Sequence, residues 1–158
     1  MQLRNTEKGK QKENQHKTRI VLDSCDLNFS SDLDFEDINA LNFELIKLQL
    51  IDKEEGEGWA LSTCEKVEKE YKRFLALKRA FKYKDIIPNT LIDKFWNQHI
   101  LHTKKYAEDC ETIFGYFLHH SPLIFLNKKL ASVSFKKAIE ETKLLYQMHF
   151  GEEYKGFV

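Results

Sequence analysis

The sequence predicts an all-α fold: a single-domain bundle of about four to five helices behind a disordered polar tail. Three observations predict it. Only 6 Gly and 2 Pro occur among 158 residues, so there are few breakers and long helices are favoured over many short strands. Apolar residues recur at steps of three and four over several segments longer than ordinary strands. Hydrophobic residues make up 42% and charged residues 32%, with 12 Phe and 6 Tyr, which suits an aromatic core under a heavily solvated surface.

Residues 1–18 form the expected tail and residues 19–158 the helical domain. Met1 to Lys17 is a Lys/Glu/Gln/Asn mixture with almost nothing to bury, hence the expectation of disorder. With Arg19, the segment carries more base (Arg4, Lys8, Lys10, Lys12, Lys17) than acid (Glu7, Glu13). No aromatic is interleaved with these charges, so a solvated tail is favoured over a nucleic-acid arm. The apolar run Ile20-Val21-Leu22 is too short to decide between a strand and an extended arm.

The first helix is expected over 35–51, with Ile38, Leu41, Leu45 and Leu48 as its repeating apolar face. Asp34, Glu36 and Asp37 place acids where the helix dipole favours them. KEEGEG (53–58) reads as a turn. A second helix over 60–82 carries Cys64, Val67, Tyr71, Phe74 and Leu75 on one side, and Ser62-x-x-Glu65 resembles a capping box. Pro88 forces an exit, and the third helix starts at Asn89 or Thr90, where Thr90-x-x-Asp93 is another capping-box candidate. An apolar link from Leu123 to Leu126 precedes a last helix from about Ser132 to His149, read from Phe135, Ala138, Ile139, Leu145 and Tyr146, with Gly151 as its stop. Tyr154 and Phe157 are candidates to pack after it.

The chain is organised around residues 88–122, which hold four of its six histidines and both prolines. Read as one helix over 91–114, this stretch puts Trp96, Ile100, Thr103, Ala107 and Phe114 on its apolar face. His99, His102, Tyr106 and Cys110 then form a stripe along the edge of that face; a break at Thr103 would tilt the stripe and keep its halves close. With Asp93 and Asn97 these residues make the candidate polar cluster. The stripe has two readings. In one it is internal architecture, its polar atoms bonded to neighbouring helices. In the other His99, His102 and His119 are metal ligands, with Cys110 or His120 as further donors, for zinc or iron. The spacing matches no established metal or catalytic signature.

The pattern Asp93, Trp96, His99, Tyr106, Asp109-Cys110, Gly115, His119 and Pro122 resembles the central motif of the glycine-rich domain-containing protein-like family. That resemblance implies a helical domain of unassigned activity. Some members carry RNA-binding or glycine-rich segments, neither of which occurs here. Asn97 stands where the motif has its first histidine, and an amide is a poor ligand beside imidazole.

Charge and cysteine usage narrow the partners. Lys+Arg and Asp+Glu balance at 25 each, which removes any bulk attraction to nucleic acid or acidic lipid. Cys25, Cys64 and Cys110 contain no CxxC pair and read as reduced thiols of a cytoplasmic protein. No apolar run approaches the roughly 20 residues of a membrane span. The expected role is a protein-interaction or regulatory module without a complete catalytic site, and the alternative is a small metalloprotein or metalloenzyme.

Overall fold

A computed structural model describes residues 33–120 and 133–156. Within them the chain is an all-α bundle of six helices: α1 Glu36–Asn39, α2 Glu44–Ile51, α3 Leu61–Ala80, α4 Thr90–Leu101, α5 Thr103–Phe114 and α6 Val133–Phe150. No strand occurs among the described residues. The tail, the Ile20–Leu22 run, the Leu123–Leu126 link and Phe157 lie outside them.

The long α3 is the mast of the bundle, about 30 Å from end to end. It packs against α1, α2 and α4, while α4 also packs on α2 and α5. Cys64, Val67, Tyr71, Phe74 and Leu75 are all buried, as their period predicts. The expected capping box does not form: the N-cap is Ala60, which has no side-chain oxygen to accept from the first-turn amides. On α4 the cap is Asn89, whose Oδ1 accepts from the Ile92 amide at 2.8 Å.

The first predicted helix is two. The chain leaves helical geometry between α1 and α2, where Asn42 Oδ1 accepts from the Glu44 amide at 2.9 Å. The break drives Phe43 into the core, against the rings of Phe95 (5.5 Å), Tyr71 (5.6 Å) and His99 (4.9 Å). Ile38, Phe43, Ile46 and Leu50 are buried, while Leu45 and Leu48 are each 63% exposed. The expected face is thus inverted along α2. Burying a phenyl ring and its aromatic contacts outweighs keeping a few more helical turns intact.

The central stretch is also two helices. His102, at φ −80° and ψ 60°, separates α4 from α5. In one straight helix Tyr106 would sit about 10 Å along the axis from His99. The break instead folds α5 back, and the two rings meet edge-on at 4.9 Å. Gly115, at φ +69°, ends α5 in the left-handed conformation that glycine adopts without penalty.

The last helix, α6, closes over α3 and the segment before α4. Thr142 Oγ1 accepts from the Ile87 amide at 3.0 Å. Arg73 donates to Tyr146 Oη at 2.7 Å and to Glu152 at 2.9 and 3.0 Å. Beyond Gly151, Tyr154 is buried and accepts from the Asn89 amide at 3.1 Å.

Candidate functional site

The polar cluster forms around His99, but with partners that spacing along one helix does not reveal. His99 projects from α4 into the core and is 1% exposed. Its Nδ1 lies 2.9 Å from Tyr71 Oη on α3, and its Nε2 lies 3.0 Å from Asp109 Oδ2 on α5. Lys105, one turn before Asp109, donates to the same oxygen at 2.8 Å.

These contacts assign the protons. Burial alone would raise the Asp109 pKa, but hydrogen bonds from His99 and Lys105 outweigh it and hold the carboxyl below its ordinary value. Asp109 is therefore an ionised acceptor, and His99 must carry its hydrogen on Nε2. Its Nδ1 lone pair is then left to accept from Tyr71. Burial lowers the His99 pKa, more strongly than the Asp109 hydrogen bond raises it, so the ring is neutral near pH 7. Burial likewise pushes the Tyr71 hydroxyl far above its ordinary value.

A tyrosine, a histidine and a carboxylate in line are familiar parts of acid–base catalysis. Here the line ends on Tyr71, which is 0% exposed, so no substrate atom can reach its hydroxyl. The Cys110 thiol is buried too, and burial raises its pKa, the setting of an inert cysteine.

A second chain runs beside the first. Trp96 Nε1 donates to Tyr106 Oη at 2.9 Å, and Tyr106 Oη donates to the Leu118 carbonyl at 2.5 Å. It ties the segment after α5 back onto α4. On the outer side of α4, Asp93 accepts from His120 Nε2 at 2.7 Å and from Asn97 Nδ2 at 3.2 Å. The His120 ring stands edge-on against Trp96 at 4.4 Å.

The structure brings His99, Tyr106 and Cys110 together and sends His102 elsewhere. His102 Nε2 and Gln98 Nε2 both donate to Gln49 Oε1, each at 2.5 Å. His119 is exposed and touches Phe117. His99, His102 and His119 therefore do not converge, and no group of three His, Cys, Asp or Glu side chains among the described residues is placed to hold a metal. Both ring nitrogens of His99 are already engaged, so no lone pair is left for zinc or iron. The residues that complete the relay, Tyr71 and Asp109, carried one legible signal: a tyrosine centred on an apolar face needs a partner for its hydroxyl.

No curated protein and no solved structure matches the chain. A family model does match, over residues 36–142, and it describes the UCP032817-like family. The match runs from the start of α1 into α6, well beyond the central motif. It replaces the resemblance to the glycine-rich domain-containing protein-like family. The chain belongs to the UCP032817-like family.

Proposed function

We propose that the chain is a helical protein-interaction module in which the Tyr71–His99–Asp109 relay is internal architecture and the outer face of α2 is the contact surface. One observation carries this reading. Leu45 and Leu48, three residues apart on a single helix, are both 63% exposed while Tyr71 and His99 are sealed in the core. The inversion of α2 that buries Phe43 sets these leucines outward. Contiguous apolar surface left in water marks places where proteins meet, and two leucines one turn apart supply the centre of such a patch. No helix among the described residues is long and apolar enough to cross a membrane.

A photo-crosslinking residue placed at Leu48 tests the reading. In extract from the native cell it is expected to form a discrete, saturable adduct that unlabelled chain competes away. Competition by the Leu45→Ser/Leu48→Ser chain should be weaker. No adduct at position 48, or equal competition by the double variant, refutes the assignment.

A further inference from the structure

We infer that the partner of the α2 face is a basic amphipathic helix, an inference that rests on the interaction reading above and adds the chemistry of the partner. The argument is one of charge complementarity. The whole chain is neutral, yet residues 33–58 hold the carboxylates Asp34, Glu36, Asp37, Glu44, Asp52, Glu54, Glu55 and Glu57 against only Lys47 and Lys53.

Two of those carboxylates flank the leucines on α2 itself. Glu44 lies one turn before Leu48 and Asp52 one turn after it, on the same strip of the helix. The Asp52 amide donates to the Leu48 carbonyl at 3.2 Å, and Asp52 Oδ1 accepts from the amides of Glu54 and Glu55, each at 2.8 Å. These bonds fix both glutamates at the C-terminal end of α2. Gly56 closes the turn so tightly that a Cβ there would collide with the Gln49 carbonyl.

That placement is unfavourable for the isolated chain. A helix C-terminus carries partial negative charge and prefers cations, yet the last turn of α2 has no basic residue. Only part of the segment's acidity is matched internally. Lys47 pairs with Glu44 at 2.6 Å and turns inward to Glu68 at 2.9 Å, which pushes its pKa up to about 12. Arg79 takes Asp37 at 2.6 Å, and Lys94 takes Glu57. Glu54 and Glu55 pair with no lysine or arginine among the described residues. A helix laying leucines on Leu45 and Leu48, with lysines or arginines along its flanks, would supply both the apolar contact and the missing cations.

The test uses the full chain and two labelled probes of roughly 18 residues with identical leucine stripes, one with lysine elsewhere and one with glutamate. Fluorescence anisotropy reads binding at low and at physiological salt. The leucine–lysine helix is expected to bind, more weakly as salt rises, and the leucine–glutamate helix is expected not to. Leu45→Ser/Leu48→Ser and Glu54→Lys/Glu55→Lys should each weaken binding by about tenfold or more. Glu140→Lys on the exposed side of α6 should leave it unchanged.

Equal binding of both probes, lost on Leu45→Ser/Leu48→Ser, would overturn the basic partner while leaving the interaction surface standing. Binding that neither double variant weakens, or no binding at all, would overturn the inference, and the crosslinking experiment then decides the surface reading separately. Self-association abolished by Leu48→Ser, or displacement of the probe by a peptide of residues 1–32, would assign the face to a second copy or to the chain's own basic arm. Either result would overturn an external partner.

Discussion

Replacing His99 with Phe should destabilise the chain by about 2–5 kcal/mol, and the structure says where that loss arises. Phenylalanine keeps the ring volume and the edge-on contacts with Phe43 and Tyr106, both at 4.9 Å, so no cavity term enters. The change instead strips Tyr71 of the acceptor for its fully buried hydroxyl. Leaving such a group unpaired costs about 1–3 kcal/mol. Asp109 loses one charge-assisted bond but keeps Lys105 at 2.8 Å and some water, so its share falls at about 1–2 kcal/mol. Adding Tyr71→Phe removes the orphaned hydroxyl. The double variant should therefore be less destabilised than the sum of the singles by about 1–2 kcal/mol. Urea unfolding followed by circular dichroism and tryptophan fluorescence measures all four corners of the cycle. A His99→Phe loss below about 1 kcal/mol, or singles that add to within about 0.5 kcal/mol, would refute the relay.

Trp96 is 4% exposed and holds Tyr106 by its indole N–H, so Trp96→Ala should cost about 3–5 kcal/mol in the same assay. A loss under about 1 kcal/mol would place the indole on the surface. Asn89 caps α4 and donates to the Lys155 carbonyl at 2.8 Å, and Asn89→Ala should cost about 1–2 kcal/mol; no loss would mean that the cap is dispensable. Folded His99 has a pKa below its ordinary 6.5, so the unfolded chain takes up that proton first. The corresponding stability is present above pH 6.5 and is lost as pH falls below it. Urea midpoints measured from neutral pH downward should show that fall, and His99→Phe should flatten it; an equal slope in the variant contradicts a buried neutral ring.

The all-α class and two helices were legible because their periodicity agrees with their burial. In α3 the stripe from Cys64 to Leu75 is the buried stripe, and in α6 Ala138, Leu145 and Tyr146 are buried where their period places them. Where periodicity misled, a single large residue decided the local geometry. Phe43 breaks the first helix to reach Phe95 and His99, and that turns Leu45 and Leu48 outward against their own spacing. The site was half legible. His99, Tyr106 and Cys110 share a stripe whether or not the helix breaks at His102. The partners that give His99 its chemistry come from helices 28 and 10 residues away in the chain, and a tertiary contact of that kind leaves no local pattern. The metal alternative rests on the spacing of His99 and His102 along one stripe, and spacing carries no information on which nitrogens are already engaged.

The protonation state of His99 tests the closed relay most directly. Long-range proton–nitrogen correlation spectra of the labelled chain, with and without added zinc, resolve the tautomer of each imidazole. The relay predicts that His99 is neutral at pH 7, protonated on Nε2 alone, and unmoved by zinc. A signal from the Nδ1–H tautomer, an imidazolium at pH 7, or a zinc-dependent shift of the His99 nitrogens would contradict it.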